Sequence, residues 1–294
     1  MRLRDLQMRY YPKGSNSTPY LLAVLIVLVA LSIYMALPVR YRYHALDTGP
    51  WGHSGLAIRA SIVLSLKDLD TAKARHTLLI IARGSPPSPD DAEAIKRFAE
   101  AGATIIVYGE PEAVTSILNA LGIEARYEAN IIDPVFSKGS AAIANTSLVN
   151  TSIALESPYL VRIDSSRVSN VEVVSWTSNF SYIDLNSNGF YDVGEDIGSY
   201  PVGYRIRLGE GEIIVFSSRG VLTNSVLEMN SELLNALARN RSIVLDQSWT
   251  RSNLFLYTKL LMGMPTFPNP ILTSLTVVAI VVLGVIILGS TEKR

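Results

Sequence analysis

The chain has 294 residues, with 26 Lys and Arg balanced by 26 Asp and Glu, three His and no Cys. Hydrophobic residues make up 48% and charged ones only 18%, below the usual share of about a quarter. That balance excludes a disordered charged tail and removes any electrostatic case for nucleic acid. The missing Cys excludes disulfides, thiolate nucleophiles, Cys-ligated zinc and iron–sulfur clusters.

In chain order, the first feature is a basic tail with Arg2, Arg4, Arg9 and Lys13, followed by the uncharged run Tyr20–Leu37. A second uncharged run, Ile271–Gly289, lies near the other end. Each rises about 27–29 Å as a helix, close to a bilayer's hydrocarbon thickness, and positive flanks resist translocation. The pattern therefore predicts a double-pass cell-membrane protein. Its cytoplasmic basic tail would be residues 1–19, its transmembrane helices 20–38 and 270–290, and its second cytoplasmic tail 291–294. Both termini would be cytoplasmic and an extracytoplasmic domain would occupy 41–250, joined by a juxtamembrane connector at 251–269. The alternative for the first run is a cleaved signal peptide, although the run exceeds an ordinary signal core and "YMALPVRY" offers no small-residue cleavage site. Four sequons, at Asn145, Asn150, Asn179 and Asn240, are glycosylation acceptors where the domain is exported.

Next, "DTGPWGHSG" (Asp47–Gly55) is a glycine-bearing turn leading into a helix expected over Ser54–Leu66. Exposed backbone N–H groups at such a helix start can hold an anion, which marks Gly52, His53, Ser54 and Gly55 as an anion-binding turn. A capped helix entry is the competing reading. "TLLIIA" (Thr77–Ala82) and "TIIVYG" (Thr104–Gly109) are continuous apolar runs suited to strands buried on both faces. Helices are expected after each: one capped by Ser88 and opened by Pro89, the other opened by Pro111 and closed by Gly122. This alternation predicts an α/β domain with a flavodoxin-like open parallel sheet. Beyond Asn130, "SKGSAAIANTSLVNTS" reads as a polar loop stretch. The runs "PYLVRI", "VEVVSW", "YRIRL" and "EIIVFSS" then read as an added β-rich part, with "LGEGE" as a hairpin turn. A helix over Val226–Arg239 and a strand Ile243–Asp246 close the domain, the last strands rejoining the first sheet.

The most specific motif is "DLNSNGFYDVGE". It puts Asp184, Asn186 and Asn188 at positions 1, 3 and 5, Gly189 at 6, the Phe190 carbonyl at 7, Asp192 at 9 and Glu195 at 12. That is the ligand order of a twelve-residue calcium loop. Two Asn in place of Asp lower the ligand charge, so the expected ion is a weakly held, structural Ca2+. Strand-like flanks leave an Asn-Gly hairpin turn as the alternative.

The segments "LDTGPWGHSGL", "TLLIIARGSPPSPDDAEAIKRFAEAGATIIVYGE", "DLNSNGFYDVGEDIGSYPVGYRIRLGEGEIIVFSS" and "VLTNSVLEMNSELLNAL", in this order, resemble the membrane-tethered domain of unknown function 4350 family. The resemblance implies a glutamine amidotransferase-like fold. Active members of that fold carry a Cys nucleophile after a parallel strand; this chain has Glu110 and Pro111 there, and "SSRGVLTN" where relatives often show an Asp. The resemblance thus implies a pseudoenzyme, with no catalytic residue. It also implies a membrane-protein partner within an assembly for transport, surface assembly or glycosyl transfer. The leading expectation is a non-catalytic scaffold that binds this partner, anchored in the lipid bilayer. A surface hydrolase acting on glycans or peptides through paired carboxylates, and an anion- or sugar-sensing module, are the alternatives.

Overall fold

The computed structural model describes residues 18–138, 141–149, 151–163 and 170–263. These fall into two units: Val39–Leu260, and the terminal stretches up to Pro38 and from Leu261.

The terminal unit contains α1 (Thr18–Ala36), 19 residues without a charge, which stops before Pro38 because the residue preceding a proline is biased away from helical geometry. At 1.5 Å per residue it rises about 28 Å. Among the described residues no helix is long and apolar enough to cross a membrane. The double-pass location, with two spans, cytoplasmic termini and an extracytoplasmic domain, is corrected on that finding. The second apolar run, Ile271–Gly289, lies outside the described residues.

In the Val39–Leu260 unit, α2 (Ser54–Ala57) is followed by β1 (Ser61–Val63) and β2 (Thr77–Arg83). Next come α3 (Pro89–Glu100), β3 (Thr104–Gly109) and α4 (Pro111–Ala120). Seven further strands follow: β4 (Ala125–Ile132), β5 (Ser137–Lys138), β6 (Ala141–Thr146), β7 (Ser152–Ile163), β8 (Val171–Trp176), β9 (Tyr182–Asp184) and β10 (Pro201–Leu208). The unit ends with β11 (Gly211–Phe216), β12 (Ser218–Gly220), α5 (Ser231–Leu237), β13 (Ser242–Asp246) and the first seven residues of α6 (Leu254–Gly263).

All thirteen strands belong to one sheet, ordered β1-β13-β2-β3-β11-β10-β8-β6-β7-β4-β9, with β12 on β7 and β5 on β6. β1, β13, β2, β3 and β11 run parallel, and from β10 onward the pairing is antiparallel. Alternate residues of each parallel strand face opposite sides, the pleat's period of two. Leu79, Ile81, Ile105 and Val107 meet Ile95 and Phe98 of α3 and Val114 and Ile117 of α4. Leu78, Ile80, Ile106 and Phe216 meet Leu233, Leu234 and Leu237 of α5. This two-sided burial explains the continuous apolar runs of β2 and β3.

The expected fold class, a flavodoxin-like α/β sheet with an added β-rich part between two spans, is therefore corrected to a mixed, β-rich single sheet with few helices. The joint is β11, which pairs parallel with β3 on one edge and antiparallel with β10 on the other. The antiparallel strands thus extend the same ladder. Two local expectations also change. The helix expected over Ser54–Leu66 is only four residues long, because Ser61–Val63 pairs with β13 as a strand. The stretch expected as a polar loop contains β5, β6 and the first residue of β7, and Ala141, Ala142 and Ala144 of β6 are buried.

Strand β7 positions the site. Its first half pairs with β6 and its second with β4. The changeover falls at Ser157, whose φ is 43°, and at Pro158, which has no N–H to donate. A cleft of about 710 Å³ opens at this bend, between the end of β4 and the start of β6.

Candidate functional site

Arg219 lines the cleft and ties it to the carboxyl ends of the parallel strands through Glu110. Gly109 ends β3 at φ 140°, and a Cβ there would stand 2.2 Å from the Arg83 carbonyl oxygen, so only glycine lets β3 pass the end of β2. The chain then turns into α4, and Glu110 is held between two guanidinium groups. Arg42 Nη1 donates to Glu110 Oε1 at 2.6 Å and Arg219 Nε to Oε2 at 2.8 Å. Arg219, on β12, also donates through Nη1 to Asn130 Oδ1 at 3.2 Å and lies 5.8 Å from the Tyr159 ring centroid. Arg42 lies 4.7 Å over Trp51. Burial, followed by the Glu110 charge, raises the Tyr43 phenol far above its ordinary range, so it stays protonated.

The walls are apolar and aromatic. Phe180, Phe190 and Tyr191 line the cleft and are 54%, 74% and 49% exposed, together with Tyr182, Pro134, Pro158 and Ile197. Asp133 is the one carboxylate among the described lining residues. Its oxygens accept from the Val135 and Phe136 amides at 3.0 and 2.7 Å and from Ser181 Oγ at 3.2 Å. Burial opposes its ionisation, but hydrogen bonds from Ser178, Phe136, Val135 and Ser181 outweigh it and hold the carboxyl below its ordinary range.

The Asp184–Glu195 loop forms one rim of the cleft through Gly189, Phe190 and Tyr191. Asp184 Oδ1 and Oδ2 accept from the Asn188 and Gly189 amides at 3.1 and 2.9 Å. Glu195 accepts from the Leu185 and Asp192 amides at 3.0 and 2.9 Å, and Asp192 Oδ2 accepts from the side-chain amides of Asn186 and Asn188, both at 2.7 Å. The Phe190 amide donates to Asn188 Oδ1 at 2.7 Å. Side chains from positions 1, 3, 5, 9 and 12 thus close the loop through hydrogen bonds. Among the described residues no group of three or more His, Cys, Asp or Glu is arranged to hold a metal ion. Strand β9 leads into the loop, where a helix-bracketed calcium loop would have a helix. Because Asp184 is buried and satisfies two amides, Asp184→Ala is expected to lower unfolding stability by about 1–3 kcal/mol with a chelator present. A calcium-dependent rise in the melting temperature of the unsubstituted protein, absent from the variant, is what a bound ion would add.

The Gly52–Gly55 turn is engaged by the fold. The Gly52, His53 and Ser54 amides donate to the Gly49, His44 and Asp47 carbonyls, and the Gly55 amide donates to Asn224 Oδ1 at 2.9 Å. His53 is fully buried, with Nδ1 2.9 Å from the Tyr43 carbonyl oxygen and Nε2 2.6 Å from the Tyr108 hydroxyl. The backbone N–H groups of the four residues expected to hold an anion are therefore engaged within the fold. Asn145, Asn179 and Asn240 are exposed, and Asn150 lies outside the described residues.

Sequence reasoning did not point to Arg219, Asn130 or Asp133. The available signals were the Arg in "SSRGVLTN" and the aromatic residues just before and within the Asp184–Glu195 loop.

Residues 47–238 match the family described as Domain of unknown function (DUF4350); the chain belongs to that family. No curated protein matches it. Among solved structures, it is similar to a ThuA-like protein from Bacteroides uniformis ATCC 8492 at 15% identity and TM-score 0.39, covering 60% of this chain and 74% of that one. The β-galactosidase from Bacillus circulans sp. alkalophilus is 14% identical with TM-score 0.36, covering 55% of this chain and 22% of the enzyme. An exo-β-1,4-mannosidase from Opitutaceae bacterium strain TAV5 is 11% identical with TM-score 0.31, covering 56% and 24%. The chain thus spans about a quarter of these glycosidases. Likenesses this loose carry no argument about activity.

Proposed function

We propose that the Val39–Leu260 domain is a non-catalytic binding module that holds a protein partner in the cleft beside Arg219. One observation carries the reading: the aromatic side chains of Phe180, Phe190 and Tyr191 are exposed around a cleft whose charged groups already have partners within the fold. Aromatic residues and Arg are the side chains enriched where proteins anchor one another. Glycoside hydrolysis needs two carboxyl groups in one cleft, and Asp133, already hydrogen-bonded, is alone among the described lining residues. The reading extends to ancestry: Glu110, following parallel strand β3 where amidotransferases carry their Cys, supports a catalytically inactive branch of the class I glutamine amidotransferase-like fold.

The test is affinity capture by the full chain, compared with the Phe180→Ala/Phe190→Ala/Tyr191→Ala variant. A partner recovered in near-stoichiometric amount, with binding weakened at least tenfold in the variant, is expected. Exposed aromatic truncations leave the core intact, so the variant's melting temperature should change little. A monodisperse chain with no partner, a partner retained equally by the variant, or capture of neutral oligosaccharides alone would overturn the reading.

A further inference from the structure

A second cleft, of about 460 Å³, lies on the other side of the β7 bend and is lined by Trp51, Ala141, Glu156, Val226, Glu228 and Met229 among others. Glu156 is only 3% exposed. Among the described residues its carboxylate receives one hydrogen bond, from Thr223 Oγ1 to Oε2 at 2.8 Å, and has no cationic partner within ion-pair distance. A buried carboxylate ordinarily requires a paired charge or a full set of donors. The surrounding chain is shaped to this side chain. A Cβ at Gly220 would stand 2.5 Å from Glu156 Oε2, and Thr223 continues into Ser225 Oγ at 3.2 Å.

The neighbouring groups define what the free oxygen can receive. Asn224 lines the cleft, but its amide is engaged with Asp47, Gly49, Ser54 and Gly55. Ser225 Oγ donates to the Pro50 carbonyl at 3.1 Å. Among the described charged lining residues this leaves two carboxylates, the buried Glu156 and the exposed Glu228, against the exposed ammonium of Lys138. Ala141 and Val226, both buried, supply apolar walls next to Met229.

We propose that this cleft is a ligand site for an organic cation, a protonated amine or guanidinium carried on an aliphatic stem, with Glu156 receiving the charge and Val226 and Met229 packing the stem. The cation supplies the donors that the Glu156 carboxylate lacks, and the stem excludes water from the pair. Glu228 at the rim attracts the same charge, whereas Lys138 opposes it. The site is separate from the aromatic cleft, so the two proposals fail or stand independently.

The test is calorimetric titration of the full chain at fixed ionic strength with n-butylammonium, n-butylguanidinium and, as the uncharged counterpart, 1-butanol. Saturable binding of at least one cation in the millimolar range or tighter is expected, with no binding of 1-butanol. Glu156→Gln is expected to weaken it at least tenfold, Glu228→Gln no more than about threefold, and Lys138→Ala to tighten it. Should Glu156→Gln fail to fold, Met229→Trp fills the apolar wall and abolishes binding while Glu156 stays in place. No saturable binding, equal binding of 1-butanol, or unchanged affinity in both Glu156→Gln and Met229→Trp would overturn the proposal. Displacement of the organic cations by millimolar sodium or calcium would equally overturn it, since it would mark a site for a bare ion.

Discussion

Replacing Arg83 by Met is expected to cost about 3–5 kcal/mol of unfolding free energy, the loss that follows when one partner of a buried ion pair is removed. Arg83 ends β2 and is 2% exposed; its Nε donates to Asp246 Oδ2 at 2.8 Å, Nη1 to Asp91 Oδ2 at 3.1 Å and Nη2 to Ser248 Oγ at 2.6 Å. Asp246, at the end of β13, is fully buried, so Arg83→Met leaves a carboxylate in the core with no cation against it. Combining Arg83→Met with Asp246→Leu is expected to cost less than the two single losses added, because the stranded charge is gone. Urea unfolding of the three variants measures both effects. A single-variant loss under about 1 kcal/mol would mean that water reaches this pair and screens it.

Acidification is the second large perturbation. Burial, opposed in part by the hydrogen bond to the Tyr43 carbonyl and reinforced by neighbouring His44, lowers the His53 pKa from 6.5 to about 4. Burial likewise holds His44 at about 4. Both rings therefore stay neutral in the folded protein while the unfolded chain takes up protons as pH falls below about 6.5. Stability is full above that value, declines as pH drops, and reaches its lower plateau near pH 4. Between pH 7 and pH 5, His53 alone accounts for about 2 kcal/mol, and His44 adds a contribution of the same sign. Denaturant midpoints across this interval test it, with His53→Gln expected to flatten the dependence. Equal stability at pH 7 and pH 5 would show that these rings become protonated without unfolding.

Legibility of the fold varied with how local its cause was. β2 and β3 could be read directly because burial on both faces leaves uninterrupted apolar runs. Ser88 could be read as a cap, and its hydroxyl accepts from the Asp91 amide at 3.1 Å. The Leu208–Gly211 hairpin was legible from its glycines. The return of the last strands to the first sheet was also legible, and β13 pairs with β2; what could not be read was the double partnership of β11. Nothing in "EIIVF" says that one edge takes β3 and the other β10, so a single continuous ladder looked like a sheet with an appendix. β6 was hidden for a related reason: its buried positions are small alanines, which carry little hydropathic signal.

The candidate site divides the same way. The Asp184–Glu195 loop was visible because its spacing is contained in twelve consecutive residues. Glu110 and Arg219 stand 109 positions apart and meet only once β12 has paired with β7. Their charges, scattered along the chain, look like ordinary surface residues. His53 illustrates the converse: its place in a glycine-rich turn suggests an accessible group, yet the turn folds inward and Tyr108 covers it.

The beginning and end of the Val39–Leu260 unit are fastened to each other. Tyr41 stacks on Trp249 with ring centroids 6.3 Å apart, and the Gln247 side chain donates to the Tyr43 carbonyl at 2.8 Å while accepting from the Ala45 amide at 3.0 Å. A polypeptide whose doorways adjoin can be spliced into a surface turn of another protein without prising its host apart. The closed seam gives the Val39–Leu260 unit the adjoining ends that such splicing requires.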